Sequence, residues 1–328
     1  MKLQLSFAPQ KLQPAIDHRH KILLVGSCFA ESIGERLANL RFDVLQNPNG
    51  IMYDPLSVTN SIVSYIDRRQ YTVADLTVAN GLWHSWQHHG SFSGPEPVAV
   101  LKTINDSQLL AHEFLKKADW IFITLGSAFY YTLNETAASI ANCHKVPAAA
   151  FTKRLLTIEE IKSSLDTCIH RLFHFNPEIK IIFTVSPVRY IRDGLVQNTL
   201  SKARLIEVVQ HLVSKFEGIH YFAAYEIVID VLRDYRFYKD DMVHPSTQAI
   251  DYIFEQFSEA AFSENTQAIT GELSHLNTAL NHRPLHPATP AHQRFLEKLL
   301  ADIASFEKRF PYLDFTAEKK TLVSPRPG

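Results

Sequence analysis

Val25-Gly26-Ser27-Cys28-Phe29-Ala30-Glu31-Ser32-Ile33-Gly34, directly after the apolar run Ile22-Leu23-Leu24, decides how the chain is read. A β-branched and aliphatic run that ends in Gly-Ser and opens into a helical pattern describes a strand, a turn and a helix. At the carboxyl edge of a parallel sheet such a turn presents its side chain where open α/β sheets bind ligands. The side chain so presented is Ser27, a potential nucleophile. Far downstream, Asp241-Met242-Val243-His244-Pro245 supplies an acid and an imidazole three residues apart. Together the two stretches point to a serine hydrolase.

Outward from that turn, strands are expected at residues 22–25, 42–45, 119–125, 180–185 and 219–222. Helical spacing fills 31–40, 56–66, 107–117, 158–173, 199–216, 225–232 and 246–257. Strands alternating with helices give an α/β chain whose parallel sheet is covered on both faces. Ser27, Gly50, Gly126, Ser186 and the Asp241–His244 loop then fall at one edge of that sheet. Residues 71–100 and 130–151 read as irregular insertions, the first more strand-like than helical. Beyond Phe262 the pattern is helical, at 269–280 and 292–310, with a loose tail at 321–328. The expected division is a catalytic domain over 1–262 and a helical C-terminal extension over 263–328.

At 328 residues and 46% hydrophobic, the chain can bury a sizeable core. A net charge of −1 gives no electrostatic reason to expect nucleic acid or an anionic membrane as partner. A small-molecule or neutral partner is expected instead. Cys28, Cys143 and Cys168 form neither a disulfide framework nor a zinc spacing. The first residues lack a secretory apolar run, and no segment reaches bilayer length, so the chain reads as cytoplasmic. His84, His88 and His89 invite a metal reading, since histidines four apart share a helix face. Trp83, Ser85 and Trp86 favour strand or loop there, and no acid or cysteine lies close by in sequence. Neither a metal nor a cofactor is expected. The segment either lines the site or packs its tryptophans.

Acyl transfer by serine needs a base to take the hydroxyl proton and a carboxylate to orient that base. His244 is the expected base and Asp241 the orienting acid, with Asp240 as the alternative; Pro245-Ser246 reads as a helix start that would pin the loop. Expected oxyanion donors are the Ser27 N–H at its helix start, Gly50, Gly126 and Ser127. Candidate substrate contacts are Asn49, His84, Trp86, His144 and Arg189, with Arg192 beside the last. The competing readings are a phosphate-binding or merely tight turn at Ser27, a helix cap at 241–245, turn glycines, and solvated arginines. Cys143-His144 is not read as a catalytic pair, because sequence neighbours rarely reach that geometry.

Gly26-Ser27-Cys28-Phe29-Ala30 is the namesake motif of the GSCFA family, which resembles a branch of the SGNH/GDSL hydrolase superfamily. The resemblance extends through Asn47-Pro48-Asn49-Gly50-Ile51-Met52-Tyr53, Asn142-Cys143-His144-Lys145-Val146-Pro147, Ser186-Pro187-Val188-Arg189, Asp234-Tyr235-Arg236-Phe237-Tyr238 and the Asp241 stretch. It implies a flavodoxin-like three-layer α/β/α sandwich with a five-stranded parallel sheet, and a triad of Ser27, Asp241 and His244. It implies cleavage of an ester or O-acetyl group on a small or carbohydrate-borne substrate through an acyl-enzyme. The superfamily's oxyanion hole combines the serine N–H, a glycine after the second strand and an asparagine after the third. Gly50 matches the glycine, but Ser127-Ala128-Phe129 follows Gly126 where the asparagine would be, so Ser127 or Asn198 would have to substitute. An acyltransferase with the same triad, or a non-catalytic carbohydrate- or nucleotide-binding module, are the alternatives.

Overall fold

The computed structural model describes residues 7–282, 285–286 and 289–323. The chain opens with β1 (Lys21–Gly26), α1 (Cys28–Asn39), β2 (Asp43–Gln46) and α2 (Pro55–Ile66). A hairpin of β3 (Thr77–Ala79) and β4 (Leu82–His84) precedes α3 (Pro97–Leu115) and β5 (Trp120–Leu125). Next come β6 (Phe129–Leu133), β7 (Ser139–Ile140), β8 (Phe151–Leu155), α4 (Ile158–Phe175) and β9 (Lys180–Val185). After α5 (Leu195–Lys215) and β10 (Ile219–Tyr221), the short α6 (Ala224–Glu226) continues as a π-wound turn, Ile227–Leu232. Four helices close the chain: α7 (Thr247–Ala261), α8 (Glu264–Leu280), α9 (Pro290–Arg309) and α10 (Thr316–Val323).

Five strands pair in parallel in the order β10-β9-β5-β1-β2, the flavodoxin-like arrangement. The central strands β1, β5 and β9 are almost continuously apolar because helices cover both faces, while the edge strands β2 and β10 carry Asp43, Gln46 and His220. Leu23, Val25, Ile121, Ile123, Ile181 and Phe183 pack against α2 to α5. The alternate residues Ile22, Leu24, Trp120, Phe122 and Ile182 pack against α1, α6 and α7. The result is three layers, α/β/α.

The differences from the sequence pattern have local causes. α3 begins at Pro97 rather than 107, and α5 at Leu195 rather than 199. Val98, Leu109, Leu110, Leu195 and Val196 are exposed, so apolar residues off the buried stripe blur the helical period. Residues 129–155 are not irregular but form the antiparallel sheet β7-β6-β8. α8 starts at Glu264, capped by Ser263, whose Oγ accepts the Thr266 N–H at 3.2 Å. Of the expected tail, 321–323 complete α10 and 324–328 lie outside the described residues.

α8, α9 and α10 share an apolar cluster that includes Leu273, Ile303, Phe306 and Phe315 and touches Leu40. Arg41 lies over the Phe315 ring at 4.1 Å and pairs with Glu318. Arg41 leads into β2, so these helices dock at the amino edge of the sheet. Among the described residues no helix is long and apolar enough to cross a membrane.

Candidate active site

β1 and β5 lie side by side at the centre of the sheet, and the order reverses between them. Loops leaving their carboxyl ends diverge there, opening the crevice in which such sheets bind ligands. Gly26 ends β1 at φ +133°, and a Cβ on it would lie 2.1 Å from the Thr124 carbonyl oxygen of β5. Only glycine allows strands this close to carry that turn. Ser27 follows as the N-cap of α1, its Oγ accepting the Phe29 N–H at 3.3 Å. Across the crevice runs the segment after β2: the Met52 N–H donates to Gly26 O at 2.9 Å. The Tyr53 carbonyl accepts both Gly126 N–H and Ser127 N–H, at 2.8 and 2.9 Å.

A pocket of about 400 Å³ opens above these turns. Ser27 and Cys28 line it with Tyr53, Asp54, Gly126 and Ser127. Phe129, Tyr131 and Ile140 to Cys143 come from the β6–β8 insertion, and Ser186, Val188, Arg189, Tyr190 and Arg192 from the loop after β9. Val243 and His244 complete it. Ser27 itself is only 1% exposed and therefore belongs to the floor.

The His244 loop folds on its own acid. Asp241 Oδ1 accepts the Val243 and His244 N–H groups at 2.8 and 2.9 Å, while Oδ2 meets His244 Nδ1 at 2.7 Å. The His244 N–H foremost, then the Val243 N–H and the imidazole, hold the Asp241 carboxyl down at about 2. It is therefore ionised at any ordinary pH and able to keep Nδ1 protonated, leaving Nε2 as the basic nitrogen. Met242 takes a left-handed φ of 57° to close the turn. Ser246, the expected helix start, caps α7 through Ala249 N–H, and Val243 O accepts the Arg189 N–H at 3.1 Å. Among the described residues Ser27 Oγ and His244 share the pocket without a direct hydrogen bond.

The expected oxyanion donors are otherwise engaged. Ser27 N–H donates to Thr124 O at 3.1 Å, and Gly126 and Ser127 N–H to Tyr53 O. Gly50 N–H donates to Asn47 O at 2.6 Å, and its α-carbon faces the His89 side chain outside the pocket lining. At φ +82° it serves a tight turn. The Ser127 hydroxyl meets Ser201 Oγ at 3.3 Å and accepts the Phe29-like cap bond of its own turn, from Phe129 N–H at 3.1 Å. Asn198 does not line the pocket; its Oδ1 fixes Tyr190 N–H at 2.8 Å.

Of the candidate substrate contacts, Arg189 lines the pocket and Asn49, His84, Trp86 and His144 do not. Asn49 is buried, its Oδ1 accepting from Gln108 Nε2 at 2.6 Å. His84 has both ring nitrogens engaged, by Ser93 Oγ and Ala79 O, and stacks on His144 at 4.4 Å. His144 Nε2 meets Ser85 O at 2.8 Å. The Trp86 carbonyl accepts the Ala141 and Asn142 N–H groups. This histidine- and tryptophan-rich segment therefore buttresses the 141–143 side of the pocket from behind. Burial pushes the His88 imidazole down to about 3, so it packs as a neutral ring against Tyr71 and Phe92.

Three groups escaped the sequence reading. Cys28 N–H, in the first turn of α1, finds no oxygen acceptor among the described residues. Asn142 lines the pocket with its Oδ1 held by the His144 N–H at 2.9 Å, while its Nδ2 has no partner among the described residues. Lys202 is fully buried on α5, and its Nζ donates to Gly126 O and Ser186 O, both at 2.6 Å. It thereby ties together the ends of β5 and β9. A signal for it did exist: Asn198, Ser201 and Lys202 occupy the same inward stripe as Leu205, Val208 and Leu212.

Burial pushes the Lys202 amine down to about 7 from an ordinary 10.5. Between those two values the unfolded chain holds a proton that the folded chain lacks, so folding stability rises with pH across the window. Relative to Lys202→Met, the wild type should gain a few kcal/mol between the lower and upper ends of that window. Urea unfolding of both proteins at the two pH values measures this, and a pH-independent difference would contradict it.

No curated protein matches the chain. Among solved structures it is similar to a carbohydrate esterase family 3 protein from Talaromyces cellulolyticus: 10% identity, 77% of this chain and 99% of that one covered, TM-score 0.36. It is also similar to the periplasmic domain of a lipopolysaccharide acetyltransferase from Salmonella ser. Paratyphi A, at 11% identity, 74% and 84% coverage, and TM-score 0.35. An acetyl xylan esterase from the rumen bacterium Butyrivibrio proteoclasticus gives 10%, 79% and 66%, and TM-score 0.35. Family models match more specifically: the GSCFA family over residues 21–257 and the GSCFA domain protein C-terminal domain over residues 273–324. With most of its length under the first model, and the Gly26–Ala30 turn lying at the sheet's switch point, this chain belongs to the GSCFA family.

Proposed function

We propose that this protein is a serine hydrolase that cleaves an ester or O-acetyl group through an acyl-enzyme. The observation that carries the reading is an imidazole clamped by Asp241 at 2.7 Å and opening into the same pocket as Ser27. In this reading His244 Nε2 takes the Ser27 proton as Oγ attacks the acyl carbonyl, then returns it to the departing alkoxide. Water deacylates the serine by the reverse relay. The reading requires Ser27 Oγ to leave its weak cap bond to Phe29 N–H and turn toward the imidazole.

The oxyanion is received by Cys28 N–H, helped by the positive end of α1, and by Asn142 Nδ2. Asn142 thus supplies from the insertion the amide that is missing after Gly126. Asn142→Ala should lower turnover of an aryl acetate by about 10²-fold with little change in KM, the usual cost of one such donor. An equal loss in KM alone would assign Asn142 to substrate binding instead.

A fluorophosphonate probe tests the nucleophile directly. Wild type should be labelled covalently on Ser27, and His244→Ala should not be labelled at a comparable rate. Wild type left unlabelled, with the probe reaching the pocket, would favour a binding module on the same scaffold.

A further inference from the structure

Arg189 and Arg192 both line the pocket, and neither has a carboxylate within ion-pair distance among the described residues. Three acids near them in sequence or in a shared pocket lining are otherwise engaged. Asp193 pairs with Lys153, Asp234 with Arg236, and Asp54 caps α2 by accepting the Ser57 N–H at 2.9 Å. Two guanidinium groups without a carboxylate partner at the rim of one pocket are free to answer an anionic group on a ligand.

Each guanidinium is also positioned. Arg189 carries its guanidinium carbon over the Tyr238 ring, 4.0 Å from its centre, and donates a long bond to Met242 O at 3.4 Å. The ring contact and the Met242 bond hold the guanidinium at the pocket wall, with donors left over for a ligand. Arg192 stands beside the Tyr131 hydroxyl, which itself meets Tyr190 OH at 3.0 Å. The rings of Tyr53, Phe129, Tyr131 and Tyr190 line the same space, giving faces on which a sugar ring can lie.

We infer that the alcohol part of the substrate is a sugar carrying an oxyanion, a carboxylate or a phosphate, which Arg189 and Arg192 receive. This rests on the serine hydrolase reading for the identity of the bond cleaved. The anion seats the sugar ring against the tyrosines and directs its acylated hydroxyl toward Ser27.

Equilibrium binding of deacylated sugars tests this without turnover. Glucuronate, glucose 6-phosphate and glucose are titrated into the wild-type protein, Arg192→Gln, and Arg189→Gln/Arg192→Gln, by calorimetry or NMR. At least one anion should bind about tenfold or more tightly than glucose, with the advantage shrinking at high ionic strength. Preference for glucuronate names the carboxylate, and preference for the sugar phosphate names the phosphate. Arg192→Gln, which changes an exposed side chain, should erode the preference, and the double variant should abolish it. Equal affinity for all three sugars, no detectable binding of either anion, or a preference that survives the double variant would overturn the inference. Probe capture of Ser27 without anion preference sinks only the substrate class; anion preference without capture sinks only the hydrolase reading.

Discussion

Ser27→Ala is expected to lower turnover of an aryl acetate by at least about 10⁴-fold, the scale on which nucleophile removal acts in serine hydrolases. Its structural cost should be small. The Oγ makes one weak bond, 3.3 Å from Phe29 N–H, so losing this cap costs about 1 kcal/mol of stability. The fold is held there by groups the substitution leaves alone: Asn47 Oδ1 accepts Gly26 N–H at 2.8 Å, and Thr124 O accepts Ser27 N–H. Activity and stability therefore separate, which a merely structural serine would not allow. Turnover measured beside urea unfolding gives both numbers, and a variant that keeps wild-type turnover would remove Ser27 from the chemistry.

Gly26→Ala should do the reverse, acting on the fold first. At φ +133° an L-residue is strained, and its methyl would meet the Thr124 carbonyl oxygen at 2.1 Å and carbonyl carbon at 2.8 Å. Both atoms belong to backbone at the centre of the sheet, so neither can move without breaking the β1–β5 ladder. Backbone strain and overpacking together should cost roughly 3–5 kcal/mol. Gly90→Ala is the control: nothing lies within 4 Å of its added methyl, and the change should stay within about 0.5 kcal/mol. Comparable midpoints for the two variants in denaturant would show that Gly26 tolerates a side chain.

What could be read before the structure was the part dictated by burial and by local hydrogen bonds. The central strands stand out because both their faces are covered, so Trp120-Ile121-Phe122-Ile123 leaves no polar alternation to mislead. Asp241 and His244 are legible because an acid three residues before a histidine folds back on it within one loop. Oxyanion donors are not legible in this way. Whether the N–H groups of Gly50, Gly126 or Ser127 remain available depends on the carbonyls of Asn47 and Tyr53, which tertiary packing delivers. Asn142 is harder still, since its place in the pocket follows from Trp86 anchoring residues 141–142 from a distant insertion. Lys202 reads as an ordinary surface lysine until the stripe it shares with Leu205 is seen to face the strand ends.

The tie made by Tyr53 has a consequence for how this scaffold diversifies. Its carbonyl gathers two amides from beyond β5 while Met52 N–H holds the end of β1, and Asn47 Oδ1 and Lys202 Nζ add to these main-chain bonds, so the floor under Ser27 is cross-braced from both sides. The segment 129–155 that supplies Phe129, Tyr131 and Asn142 contributes none of those bonds. The insertion can thereby change the wall it gives the pocket while the foundation beneath Ser27 keeps its shape.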